Sequence, residues 1–214
     1  MLRFAARPGA RAAILLAGWL LSSSAGGPAQ AFEGQLSGAW LLDALRSGRL
    51  VVFIRHAATE KDFADQVDAV MGDCSTQRTL SEDGWRQART IGEAFERLQI
   101  PVGEVRSSEY CRAWQTAALA FGRYQKTPEL NFEPAEDYTA EQLAAMRARM
   151  TAQLAARPKE GANTVLVGHD DPFEAATGIY PEPMGVAFVV EPDGAGGFSI
   201  LADLAVDEWA ELVP

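Results

Sequence analysis

Residues 50–57 read Leu50-Val51-Val52-Phe53-Ile54-Arg55-His56-Ala57, and their pattern sets the fold class. Five consecutive apolar residues, mostly β-branched or aromatic, predict a strand buried on both faces, the kind found in parallel sheets with helices on each side. The run ends at a cation and an imidazole. In open sheets of this kind ligands bind beyond the carboxyl ends of the strands, so Arg55 and His56 stand where a site is expected.

Outward from this strand, helices and strands alternate. Upstream, Ser37 is placed to cap a short helix, Gly38 to Arg46, stopped by Gly48. Downstream, a polar, acid-rich loop, Thr59 to Gln77, leads to Ser81, which opens a helix with Glu82 and Asp83 in its first turn. Trp85, Ala88, Ile91, Phe95 and Leu98 recur at spacings of three or four and predict its buried face, with Trp85 and Phe95 in the core. Arg78, Arg86 and Arg89 read as surface charges. A short strand at Val105 to Ser107 precedes a helix from about Arg112 to Phe121, closed by Gly122. Gln125 to Asp137 reads as loop. Thr139 and Gln142 form a capping-box pair before a helix running to Arg157. Thr164 to Val167 is a third strand, and Val186–Val190 with Phe198–Leu204 form a hairpin turned at Pro192-Asp193-Gly194. The expected fold is α/β: a three-layer sandwich around a mostly parallel sheet, with an antiparallel C-terminal element.

The N-terminus reads differently. Arg3, Arg7 and Arg11 precede the apolar run Ala12 to Leu21, and small residues follow as far as Ala29-Gln30-Ala31. A positive region, a short apolar stretch and a small-x-small site predict a cleaved signal peptide over 1–31, with one domain over 32–214. The chain is expected to be exported, periplasmic or secreted, with no stable membrane insertion once the signal is removed. The segment holds three arginines and no acids, so its loss takes the formal charge from −10 to −13. Such a body disfavours nucleic acid as a partner. In an exported chain the two cysteines, Cys74 and Cys111, most economically form one disulfide.

The three parallel strands all end in polar residues: Arg55-His56 after the first, Ser107-Ser108 and then Arg112 after the second, Gly168-His169-Asp170 after the third. The only two histidines, 113 positions apart, thus occupy equivalent places in the topology. Their chemistry is coherent. Guanidinium forks match the three oxygens of a phosphoryl group in transfer. A neutral imidazole, kept so by burial and neighbouring arginines, is a competent nucleophile. A second imidazole can donate a hydrogen bond as charge develops. No H-x-H or H-x-x-x-H pair suggests a metal centre, and no cofactor is expected.

Phe53-Ile54-Arg55-His56-Ala57 resembles the arginine-histidine motif of the histidine phosphatase superfamily, the fold of cofactor-dependent phosphoglycerate mutase. Three further segments are similar in the same order: Leu80-Ser81-Glu82-Asp83-Gly84 with Gln87-Ala88; Ser107-Ser108 with Arg112-Ala113 and Gln115-Thr116-Ala117; and Val165 to His169. The resemblance implies a phosphoglycerate mutase-like fold and a small phosphorylated substrate. His56 would be the phosphorylated nucleophile, Arg55 and Arg112 the phosphate clamps, and His169 the second imidazole. Ala57 departs from the family's glycine. The proton donor, a carboxylate after the second arginine in many relatives, follows no clear motif: Glu136 and Glu133 occupy that segment, Glu136 is the expected donor, and Asp170 is its rival. A Cys74–Cys111 bridge would tie the loop over the substrate to the Arg112 clamp.

A phosphomonoesterase is therefore the expected function. The alternatives are a phosphomutase, a metal-dependent phosphoesterase using His56, His169 and Asp170, and a phosphate-binding module without turnover.

Overall fold

The computed structural model describes residues 34–60, 65, 68–135 and 137–213. The expected signal segment, 1–31, and the expected proton donor Glu136 lie outside the described residues. The described residues fall within one compact unit, Phe32–Pro214.

Eleven elements position the site. In chain order they are α1 (Gly38–Ser47), β1 (Val51–Arg55), α2 (Glu82–Arg97), β2 (Val102–Ser107), α3 (Cys111–Phe121), β3 (Gln125–Lys126), α4 (Ala140–Leu154), β4 (Asn163–Gly168), α5 (Asp170–Thr177), β5 (Ala187–Pro192) and β6 (Phe198–Leu204). The strands form one mixed sheet in the order β3-β2-β4-β1-β5-β6. β1, β2, β3 and β4 pair in parallel, and the β5–β6 hairpin joins β1 antiparallel.

Alternate residues of β1 feed two cores, as the period of two requires. Val52 and Ile54 pack with Leu41, Leu45, Ile91, Phe95 and Ala113 from α1, α2 and α3. Val51 and Phe53 pack with Met150, Leu154 and Phe173 from α4 and α5. Every residue of β1 and of β4 is buried. This is the α/β three-layer arrangement the apolar run implies, and it leaves the two central strand ends side by side, Arg55 in register with Gly168.

Five details differ from the sequence expectations, the first being that Ser37 precedes α1 without a side-chain capping bond. The buried stripe of α2 starts at Gly84, not Trp85, and continues through Ala88, Ile91 and Phe95. Trp85 is 51% exposed, because Gly84, which has no hydrophobic signature, holds the inward position. A Cβ there would collide with the carbonyl oxygen of Ala58. Gln125–Lys126 is a two-residue edge strand on β2, inside a stretch with no periodic apolar signal. α4 ends at Leu154, three residues before the expected Arg157. α5 was not visible in the pattern, since Pro172 reads as a breaker; within a first turn, where the N–H has no helical partner, proline is tolerated. The caps on Ser81 and Thr139 form as expected, the latter with its Gln142 capping box.

Candidate active site

His56 leaves β1 with its backbone held on both sides. Its N–H donates to the carbonyl of Gly168 and its carbonyl accepts from Gly185. The next two residues are pinned by α3 and α2: the Ala57 N–H donates to Thr116 Oγ1 at 3.0 Å, and that of Ala58 to Gln87 Oε1 at 2.8 Å. The imidazole is therefore placed by three elements and is 2% exposed.

Two contacts define its tautomer. Nδ1 lies 2.9 Å from the Ala57 carbonyl oxygen, which can only accept, so Nδ1 carries the hydrogen. Nε2 receives the Nε–H of Arg112 at 3.1 Å, so it carries the lone pair. Burial first, then the Arg112 guanidinium, hold the imidazole well below its ordinary pKa. A neutral ring with its nucleophilic nitrogen facing a cation is the result.

Arg112, on the first turn of α3, is itself buried. Its Nη1 donates to Asp65 Oδ2 at 2.8 Å, and the same oxygen accepts the Arg78 N–H. Cys111, next to Arg112, is disulfide-bonded to Cys74, as expected, and Gln77 Oε1 accepts the Cys111 N–H. The segment from Cys74 to Arg78 is thus tied to the start of α3. Arg55 is held from the other side: Nη1 donates to the Pro181 carbonyl, and Nη2 to Asp170 Oδ2 at 2.6 Å. Tyr180 donates its hydroxyl to the same Asp170 oxygen.

His169 is fully buried, its ring centroid 5.4 Å from that of His56. Tyr110 and Phe132 meet it edge to face. Nε2 lies 2.8 Å from Ser108 Oγ, and burial followed by Arg112 lowers its pKa well below the ordinary value.

Arg55, His56, Arg112 and His169 are thus brought together at three strand ends. The acids divide differently. Asp170 is in the cluster but paired with Arg55. Glu133 is paired with Arg149 at 2.8 Å. Asp171, one residue beyond Asp170, accepts the Tyr138 hydroxyl at 2.7 Å, and burial raises its pKa. Two residues missed in the sequence complete the site. Asp65 lies in the acid-rich loop, where nothing distinguishes it from its neighbours. Arg78, expected on the surface, is half-buried, donates to Thr59 Oγ1 and depresses both imidazoles; its place between the bridged Cys74 and the core residue Leu80 was the available signal. Arg86 and Arg89 are exposed, as expected, with Arg86 paired to Glu82 and Asp83.

Among the described residues, seven buried side-chain polar atoms have no partner, and four belong here: Arg55 Nε, Arg78 Nε, Asp65 Oδ1 and His169 Nδ1. A buried donor or acceptor left unpaired costs about 1–3 kcal/mol, so each of these four atoms needs a partner such as water or a ligand. Two guanidinium N–H groups beside a nucleophilic imidazole suit a tetrahedral oxyanion. A cavity of about 840 Å³ opens at the opposite end of the sheet, lined by Arg49, Leu50, Arg157 and Glu191, and shares none of these groups. Among the described residues no group of three or more His, Cys, Asp or Glu is placed to hold a metal ion.

Residues 51–135 match the model of the Histidine phosphatase superfamily (branch 1). The match takes in His56 and Arg112 and stops short of His169. No curated protein matches the chain. Among solved structures, the chain is similar to the protein histidine phosphatase SixA complexed with tungstate, at 16% identity and TM-score 0.50, over 74% of this chain and 98% of that one. It is similar to a phosphoserine phosphatase mutant from Entamoeba histolytica in complex with phosphoserine, at 14% identity and TM-score 0.53, over 77% and 99%. It is also similar to TTHB049 from Thermus thermophilus, at 24% identity and TM-score 0.50, over 73% and 99%. These likenesses establish a shared phosphoglycerate mutase-like fold, and the matched segment supports the superfamily.

Proposed function

We propose that this chain is an exported member of the histidine phosphatase superfamily, a phosphomonoesterase that works through a phosphohistidine on His56. The observation that carries the reading is the state of His56: buried, neutral, its Nε2 lone pair turned to Arg112, with the unpaired Nε–H groups of Arg55 and Arg78 in the same cluster. Nε2 attacks phosphorus and the arginines stabilise the charge spread over the phosphoryl oxygens. Water then hydrolyses the phosphohistidine. The clamps are Arg55, Arg112 and Arg78, and no metal or organic cofactor takes part.

The substrate is a small phosphate ester, in keeping with the superfamily match and with a fold relative that is a phosphoserine phosphatase in complex with phosphoserine. Export follows from the three-part N-terminal segment, with cleavage after Ala31 leaving a single domain over 32–214. The Cys74–Cys111 bridge fits an oxidising compartment. Among the described residues no helix is long and apolar enough to cross a membrane.

The test is phosphate release from a panel of phosphomonoesters in the presence of chelator, with His56→Ala alongside and with trapping of an acid-labile, base-stable phosphoenzyme. The expected result is chelator-resistant turnover that His56→Ala removes. Undiminished activity in His56→Ala refutes the mechanism. Transfer of the phosphoryl group to an added alcohol in preference to water identifies a mutase, and phosphate binding with no turnover of any ester identifies a binding module.

A further inference from the structure

Among the described residues, every carboxylate near the cluster is already engaged. Asp65 is paired with Arg112, Asp170 with Arg55 and Glu133 with Arg149, while Asp171 accepts the Tyr138 hydroxyl. The leaving alcohol nevertheless needs a proton, and the hydrogen-bond network around His169 identifies a source.

The network orients from its far end. Asn131 Oδ1 accepts the Glu109 N–H at 2.9 Å while Asn131 Nδ2 donates to Glu109 Oε2 at 2.8 Å, which fixes the amide orientation. Asn131 Oδ1 also lies 2.7 Å from Ser108 Oγ. It has no hydrogen, so the single Ser108 hydroxyl hydrogen must point to it. The Tyr110 N–H donates to Ser108 Oγ at 3.2 Å. His169 Nε2, 2.8 Å from the same oxygen, must therefore bring its own hydrogen. The neutral ring then has a bare Nδ1, and that nitrogen is the buried atom without a partner.

We infer that His169 is held as the Nε2–H tautomer by Ser108, Asn131 and Glu109, and that its bare Nδ1 takes the proton of the substrate's phosphoryl hydroxyl and passes it to the leaving oxygen. This rests on the phosphatase reading above and sharpens it. A neutral His169 in this tautomer cannot donate to a phosphate oxygen through Nδ1; it accepts first.

The step balances. The ester binds as its monoanion, RO–PO₃H⁻, and gives its hydroxyl proton to His169 Nδ1. The His56 Nε2 lone pair forms the N–P bond as the P–O bond to the alcohol breaks, and the released electron pair takes the proton from Nδ1. The products are neutral alcohol and a phosphohistidine that keeps the single negative charge, its Nδ1–H still on the Ala57 carbonyl. In the second half, water adds to phosphorus and gives a proton to Nδ1, the N–P bond breaks back to Nε2, and Nδ1 returns the proton to the departing phosphate. The groups facing His169 are Arg112, Arg55, Arg78 and His56, which disfavour its charged form in the free protein, with the phenol of Tyr110 at the ring edge. An incoming phosphoryl anion offsets those cations. Ser108 and Asn131 are positioning residues: they act through the tautomer.

With only two histidines, nitrogen-15 correlation spectra of the full chain read both rings directly. The expected spectrum has opposite tautomers, Nδ1–H on His56 and Nε2–H on His169, with His169 gaining a proton at Nδ1 when inorganic phosphate binds. In Ser108→Ala the His169 tautomer preference is lost. Kinetically, His169→Gln is expected to lower kcat/KM for an alkyl phosphate by about 10²–10⁴-fold, the range of general acid catalysis, and for p-nitrophenyl phosphate, whose leaving group needs no proton, by at least tenfold less. A bare Nε2 on His169, or Nδ1 still bare with phosphate bound, overturns the inference whether or not the chain turns over. So does a leaving-group-dependent loss in Asp171→Asn or Glu136→Gln in place of His169→Gln. The spectra stand if no ester is hydrolysed, so failure of the phosphatase reading is seen separately, as absent turnover and absent labelling of His56.

Discussion

Arg112 donates its Nε–H to Nε2 of His56 across 3.1 Å, while the Ala57 carbonyl holds the ring's other nitrogen at 2.9 Å. One guanidinium thus does two things: it disfavours the protonated imidazole and, by donating to Nε2, marks the nitrogen that carries the lone pair. The contact belongs to the folded chain, through the packing of α3 against the end of β1.

Arg112→Lys separates these roles. A lysine keeps the charge but not the fork that reaches His56 and Asp65 together. We expect kcat/KM to fall about 10²–10³-fold, the cost of losing one oriented donor to a transferring group. Steady-state kinetics, with far-UV circular dichroism to show an intact fold, check it; full activity in the lysine variant contradicts the bidentate role.

Asp65→Asn leaves the Arg112 charge buried without its carboxylate. Breaking such a pair costs about 3–5 kcal/mol, so urea denaturation of the free variant should show a loss of that order. The same change frees Arg112 for an incoming anion. Inorganic phosphate should bind about tenfold more tightly, equivalent to about 1.4 kcal/mol, and should restore much of the lost stability. Calorimetric titration giving equal phosphate affinity in both proteins would falsify the competition between Asp65 and phosphate.

The Cys74–Cys111 bridge closes a loop with a sequence separation of 37. Replacing both cysteines by serine should cost about 2–4 kcal/mol through the unfolded chain. Because Cys111 adjoins Arg112, catalytic efficiency should drop as well. Denaturation curves and kcat/KM for the double variant, and for the wild type with and without reductant, measure both effects. A stability loss with untouched kinetics would mean that Gln77 and Asp65 hold Arg112 without the bridge.

Both imidazoles are held well below 6.5 in the folded protein, mainly by burial. The unfolded chain therefore binds more protons as pH falls below about 6.5, and stability declines on acidification from that point until the folded values are reached. Each histidine adds up to about 1.4 kcal/mol per pH unit to that decline. Stability measured at pH 7.5 and pH 5.5 should differ less in His56→Asn and His169→Asn than in the wild type. An unchanged slope in both variants would show that the folded imidazoles titrate normally.

Much of this was readable in advance. The apolar run before Arg55, the caps on Ser81 and Thr139, and the three polar strand ends are local patterns, set by neighbours a few positions apart. Trp85 misled for the same reason, since a periodicity count gives weight to an indole and none to Gly84. Asp65 and Arg78 were not readable, because an acid in an acidic loop carries no mark of which cation it will meet.

The sequence by itself determined that buried strands of a parallel sheet would end at Arg55-His56, at the approach to Arg112 and at His169, because burial and strand period are properties of short segments. That these ends are neighbours was decided by the strand order. Only the tertiary structure decided their chemical states. Arg55 meets Asp170 across 115 positions, Arg112 meets Asp65 across 47, and His169 meets Ser108 across 61. Hydrogen-bond direction, tautomer and basicity depend on those contacts and on the removal of water around them, so they come into being only when the distant segments pack.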